Sequence, residues 1–330
     1  MSASATDHDR LDRRFILTLC LAAAAGMINH TALGPFIPDI ASDFNSTVPV
    51  IGQIAAISAL VSAIAGVFAG PLADHYGHRR VLAVSLILTM ISALSVAAAP
   101  GYWWLVLGRV IGGLGFSASI GVAFALATLR YGGKARLAAM SILTSSLSIS
   151  GIIGIPILTQ IAGPFSWRGA WVFIGCLALS SLLLLLVTVP ASLSTGEGRF
   201  RLRHLVTAYA PLLRDPRVRW LFCGSVLLGA FFAAALTYSG SYFIEELGLS
   251  VQQFGMIAII TGLGFFAGSL AAGRLGRFDL RSTFVVSSVV SGILLFVAYA
   301  VSGTVTITVV ALTIAFFCAS IQAVNVTTLI

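Results

Sequence analysis

Charge is what this chain has least of. Only 9% of its 330 residues are charged and 58% are hydrophobic, where soluble domains carry roughly 25% and about 45–50%. That balance excludes an ordinary soluble domain. Cysteine is scarce too: Cys20, Cys176, Cys223 and Cys318 all lie inside apolar runs, with no CxxC spacing and no Cys/His cluster. Disulfide scaffolds and metal centres are thereby set aside, and the thiols read as small buried apolar groups. Neither HExxH nor GxSxG occurs, and no apolar run holds a pair of carboxylates for acid–base work. The expectation is a protein that is not an enzyme and holds no cofactor and no metal. A formal net charge of +8 raises nucleic acid as a partner. The basic residues, however, sit in short clusters between apolar runs, which is the pattern of a chain threaded through a lipid bilayer.

What is present is a series of apolar runs, each near the roughly 20 residues that a membrane-spanning helix needs. They cover 15–37, 48–71, 81–98, 102–129, 139–162, 169–189, 218–243, 252–273, 283–302 and 304–328. The fold class expected is thus an all-α polytopic membrane protein with ten spans. The first run opens like a secretory leader, with Arg13 and Arg14 ahead of apolar residues and alanines at 22–25. It continues well past those alanines, so it reads as a span rather than a cleaved leader. The expected organisation is a tail over 1–14, a first half over 15–189, a connection over 190–217 and a second part over 218–330. Residues 200–213, FRLRHLVTAYAPLL, read as an amphipathic helix lying on the membrane surface.

Orientation follows from where Lys and Arg fall. If the spans alternate, 17 of the 19 lie on one face, in the tail, the 2–3, 4–5 and 8–9 loops and the long connection. Arg168 falls on the other face and Arg109 inside the fourth run. Retained positive charge marks the cytoplasmic side, so the tail and the connection are expected in the cytoplasm and the chain in the plasma (inner) membrane. The opposite face carries Asp39, Asp43, Glu245 and Glu246.

The chain also repeats itself. GVFAGPLA at 66–73 recurs as GFFAGSLA at 264–271 with six of eight positions identical, an offset of 198. FSASI at 116–120 recurs as FCASI at 317–321 at an offset of 201. Runs seven to ten therefore read as a second, parallel copy of runs one to four, related by an axis along the membrane normal. Gly66 and Gly70, four apart, leave one helix face bare for close approach of a second helix.

The loop GPLADHYGHRR at 70–80 resembles the 2–3 loop signature of the major facilitator superfamily, G-x-L-a-D-r-x-G-r-r, with His75 and His78 where basic residues are usual. LVLGRVIGGLGFSAS at 105–119 is similar to its fourth-helix signature, and IPDIASDF at 37–44 to its exit from helix 1. GIIGIPILTQIAGPFSWRGAWVF at 151–173 resembles helix 5 of the drug and sugar efflux branch, the drug:proton antiporter type, with the Gly-Pro pair spaced as Gly154-Ile155-Pro156. The resemblance implies a secondary transporter working by alternating access, with proton-coupled efflux of a small drug-like or sugar-like compound. Its expected partners are a small-molecule substrate, protons and the bilayer, with no nucleic acid and no obligate protein partner. Uptake of a small metabolite by the same fold stays open, because no Asp or Glu lies within any span. The family has twelve helices in two halves of six. With the 201 offset, Ile330 corresponds to Leu129, so the expectation is a C-terminally truncated transporter with four helices of its second half. A truncated protein that no longer transports is the third reading.

Site expectations follow from depth and from the resemblance. Arg109 lies about seven residues inside the fourth run, roughly 11 Å at 1.5 Å per residue, and Asn29 and His30 lie at nearly the same depth. A charge there is costly against lipid, so it is expected to face a polar interior. Asn29, His30 and Arg109 are therefore the candidate substrate and proton pathway, and a proton on His30 beside Arg109 would be repelled. The resemblance gives Gly70, Asp74, Gly77, Arg79 and Arg80 a role in holding conformation, and Gly151, Gly154 and Pro156 a role in helix 5. Asp39 and Arg168 mark the outer end.

Overall fold

Apolar runs of this length satisfy their backbone polar groups internally, which in lipid leaves helices or closed barrels. The computed structural model describes residues 11–190, 216–275, 280–301 and 303–329, and every regular element among them is helical. The chain divides into two units, Met1–Phe200 and Arg201–Ile330.

In the first unit, α1 (Arg13–Thr31) starts at Asp12, whose carboxylate accepts from the N–H groups of Arg14 at 3.0 Å and Phe15 at 3.3 Å. Such a side chain satisfies donors that the first helical turn leaves open. A 3₁₀ turn at Gly34–Phe36 leads into the short α2 (Ile37–Asp43). Helix α3 (Val48–Tyr76) is stopped by Gly77, whose φ of 94° favours glycine, and α4 (His78–Ala97) begins at the next residue. Then come α5 (Tyr102–Arg130) and α6 (Gly133–Thr188). Helix α6 is 56 residues long and broken at Ser166, which sits at φ 58° two residues after Pro164.

The second unit holds α7 (Pro216–Ser241), a π-helical turn at Tyr242–Glu246 and α8 (Val251–Leu275). It continues with α9 (Leu280–Phe296), a second π-helical turn at Val297–Val301 and α10 (Val305–Leu329). Among the described residues, eight helical stretches are long and apolar enough to cross a membrane, with Gly133–Thr188 counted once. The surface helix expected at 200–213 lies outside the described residues, as does most of the connection over 190–217.

Helix α5 is the centre of the first unit because its glycines admit neighbours on two sides. A Cβ at Gly112 would come within 2.5 Å of Ser92 Oγ on α4, and one at Gly115 within 2.9 Å of the Thr89 backbone nitrogen. On the other side, a Cβ at Gly113 would lie 2.5 Å from the Ser58 carbonyl oxygen of α3. Hydroxyls bond across these close contacts: Ser85 Oγ donates to the Gly115 carbonyl at 2.6 Å and Ser58 Oγ to the Arg109 carbonyl at 2.9 Å. Small residues and interhelical hydrogen bonds of this kind hold helices together where lipid supplies no hydrophobic drive.

Gly66 and Gly70 do not play the part their spacing suggests within the first unit. A Cβ at Gly70 would meet nothing within 4 Å, and one at Gly66 only the Ser117 carbonyl at 4.0 Å. Within the first unit α3 lies tight against α5 eight residues before Gly66, at Ser58. In the second unit their counterparts are packed tightly. A Cβ at Gly264 would lie 2.6 Å from the Thr313 carbonyl oxygen, and one at Gly268 would run into the Phe317 backbone.

Candidate functional site

The last four carbonyls of an α-helix have no partner within it. At the end of α1 these include the carbonyls of Asn29 and His30, because the chain turns into Gly34–Phe36 instead of continuing. Both accept from Arg109 of α5. Nη1 donates to Asn29 O at 2.6 Å and Nη2 to His30 O at 3.0 Å. The guanidinium carbon also lies 5.1 Å from the ring centre of Trp171 on α6, over its face, a cation–π contact that strengthens when water is excluded. The side chain is 1% exposed. Arg109 thus lies against Asn29 and His30, the residues that share its depth, and is enclosed within this unit. Its cationic fork is occupied by backbone.

His30 stacks on Phe116 of α5, ring centres 4.1 Å apart and planes 8° apart. Asn29 is wholly buried, and the amide nitrogen lies 3.0 Å from where a Cβ of Gly112 would be. Several polar atoms around the guanidinium make no hydrogen bond: Asn29 Nδ2 and Oδ1, His30 Nδ1, Ser92 Oγ, Arg109 Nε and Trp171 Nε1. Of the helix 5 residues, Gly154 bears on the site, since a Cβ there would strike the Ile28 side chain at 2.9 Å. Its bareness lets α6 lie against the end of α1. Pro156 is buried within α6, whereas Gly151 faces nothing within 4 Å.

The loop residues form a separate cluster. Gly77 makes the reversal between α3 and α4, and Asp74 pairs with His78 at 3.6 Å while its own side chain is 70% exposed. Arg79 Nη2 donates to the Leu186 carbonyl at 2.7 Å, capping the far end of α6, and Arg80 is exposed. At the other end, of the residues that mark the outer end, Arg168 pairs with Asp43. Asp43 Oδ2 accepts from Arg168 Nη1 at 2.6 Å and from Trp167 Nε1 at 2.8 Å, and Arg168 lies over the Trp167 ring at 4.2 Å. Asp43 ends α2, while Asp39 lies a turn back within it. The signal that finds Asp43 is the break at Ser166, which swings Trp167 and Arg168 together toward the α2 end.

Long apolar helices that seal one arginine in their interior define a multi-pass membrane protein. The chain belongs to the Major Facilitator Superfamily, whose family model matches residues 19–330. It is 25% identical over 312 residues to YwfA, an uncharacterized MFS-type transporter of Bacillus subtilis, covering 91% of this chain and 74% of that protein. It is 24% identical over 272 residues to AraJ, a putative transporter of Escherichia coli, covering 81% and 66%. It is 25% identical over 276 residues to a hexuronate transporter of Bacillus subtilis, covering 81% and 65%. The chain therefore spans about two thirds to three quarters of the length of these relatives. Among solved structures, the nucleoside transporter NupG superposes with a TM-score of 0.79 at 15% identity, covering 96% of this chain and 82% of that one. A D-xylose–proton symporter superposes with a TM-score of 0.68 at 17% identity, covering 94% and 79%. Relatives and family alike indicate a transporter rather than an enzyme.

Proposed function

We propose that this chain has ten membrane spans and works as a secondary transporter by alternating access, exporting a small organic compound in exchange for protons. It does so in the inner (plasma) membrane, with the N-terminus and the 190–217 connection in the cytoplasm. The observation that carries the coupling is the buried group of polar atoms between α1, α4, α5 and α6. Unpaired buried donors and acceptors in hydrocarbon are expensive, and ionisable residues at such depth mark ion and proton routes. Among the described residues of this group His30 is the side chain whose ordinary range lies near neutral pH, and Arg109 keeps a fixed charge beside it. Gly154, two residues before Pro156, adds to the export reading, because it lets α6 lie against the end of α1 where that group lies.

Uptake of a sugar-like metabolite is the second reading. It is favoured by relatives and neighbours named as a hexuronate transporter and a D-xylose–proton symporter, and by the lack of a carboxylate in the group.

The experiment uses inverted and right-side-out vesicles with an imposed pH gradient, ethidium as a drug-like probe and D-glucuronate and D-xylose as sugar-like ones. Export predicts gradient-dependent accumulation of a probe in inverted vesicles, and uptake predicts it in right-side-out ones. Replacing His30 by Gln is expected to flatten the pH dependence between about pH 5 and 8. A gradient that moves no probe in either vesicle removes proton coupling, and an unchanged pH profile removes His30 from it.

A further inference from the structure

Beside the start of α1 lies a groove of about 480 Å³ lined by Leu11, Arg13, Ile16, Leu17, Cys20 and Ile142. It runs between α1 and α6, which pack along each other. Its lining is apolar but for one cation at its mouth. From Arg13, the first residue of α1, to Cys20 is seven residues, about 10 Å at 1.5 Å per residue. Half of the roughly 30 Å hydrocarbon core is about 15 Å, so the groove takes up about two thirds of the depth of one leaflet. We propose that it holds one acyl chain of an anionic phospholipid, with the headgroup on Arg13, at a site of defined position on the first unit.

Three observations select that occupant. Arg13 makes no ion pair or hydrogen bond through its side chain among the described residues, so its charge is available at headgroup depth. The surrounding rim is basic: Arg14 is exposed on α1, and Lys134 and Arg136 are exposed in the first turn of α6. Among the described residues the nearby acid, Asp12, has its carboxylate engaged by the Arg14 and Phe15 N–H groups. Basic pockets between membrane helices on the cytoplasmic side are suited to anionic headgroups. The walls are also held in place. Tyr131, at the end of α5, accepts from the Asp12 N–H at 3.1 Å and packs edge-on against Phe15 at 5.8 Å. Burial pushes its phenol above the usual range, so it stays neutral in this contact. Thr18 on the inner side of α1 bonds Thr188 near the end of α6 at 2.9 Å.

The proposal is tested on the purified full chain in detergent, titrated with phosphatidylglycerol, phosphatidylcholine or glycerol phosphate, with retained lipid counted by native mass spectrometry. The wild type is expected to retain phosphatidylglycerol about fivefold better than phosphatidylcholine, the change one basic residue makes at a charged surface. Arg13→Gln should abolish this preference, and Arg13→Lys and Arg14→Gln should leave it. Ile142→Trp, which fills the groove, should lower retention of both lipids. Glycerol phosphate, a headgroup with no chain, should not compete. A preference that survives Arg13→Gln, retention unchanged by Ile142→Trp, or competition by glycerol phosphate overturns the proposal. Melting temperature in phosphatidylcholine, expected to be the same for Arg13→Gln and wild type, separates lost binding from lost folding.

Discussion

Arg109 shows how one residue can be placed by its depth while the atoms that hold it stay hidden in the sequence. A guanidinium buried in an apolar helix needs compensation, and among the described residues no carboxylate bonds to it. Compensation comes from two backbone carbonyls that α1 leaves open, together with the Trp171 face. The planar fork of arginine suits this, since it presents parallel N–H groups that a lysine ammonium does not. Arg109→Met should therefore cost more than Arg109→Gln, because Met leaves both carbonyls unmet. At about 1–3 kcal/mol for each buried unsatisfied group, the Met variant should lose at least about 2 kcal/mol, read as a lower melting temperature in detergent. Equal melting temperatures for Met and wild type would show that the two contacts contribute nothing to stability. The matched depth of residues 29, 30 and 109 is legible in the sequence, because helical rise is fixed. The acceptors are not, because a carbonyl's freedom depends on where the helix ends, and that is set by the turn at Gly34–Phe36.

At the scale of elements, α5 is governed by glycine contacts rather than by its apolar residues. Glycine costs a helix about 1 kcal/mol relative to alanine, so Gly113→Ala should stabilise α5 taken alone. In the folded unit the added methyl meets the Ser58 carbonyl at 2.5 Å, and α3 must move away. Overpacking of this kind costs typically about 1–3 kcal/mol, so the net effect should be destabilising. A Gly113→Ala protein as stable as the wild type would mean that α3 yields freely. The outer pair shows what the sequence hides at this scale. The apolar runs at 139–162 and 169–189 reveal two helical stretches, but not that a single serine at positive φ joins them. That joint decides that Asp43, not Asp39, meets Arg168.

On the scale of the molecule, the repeat is plain in the sequence while its use differs between copies. Gly66 and Gly70 match Gly264 and Gly268 letter for letter, yet only the second pair lies against a neighbouring backbone. Gly70→Ala should accordingly be neutral or slightly stabilising, whereas Gly268→Ala should lower the melting temperature clearly. Similar effects of the two would mean that the copies pack alike. Sequence identity between copies reports common descent of a helix, and not the contact each copy makes. Composition, by contrast, settles the class with little ambiguity, since 9% charge leaves too few polar side chains to cover a soluble surface.

The clamp of Arg109 onto the end of α1 also bears on how the chain is made. An arginine at the centre of a membrane helix resists entry into the bilayer by about 2.5–3.5 kcal/mol on insertion scales, and Arg109, nearer one end of α5, bears part of that cost. Ribosomes deliver α1 before α5, so the carbonyls of Asn29 and His30 are already in the membrane when the guanidinium arrives. The order of synthesis thus supplies the acceptor first, and the charge is never left waiting in lipid for its partner.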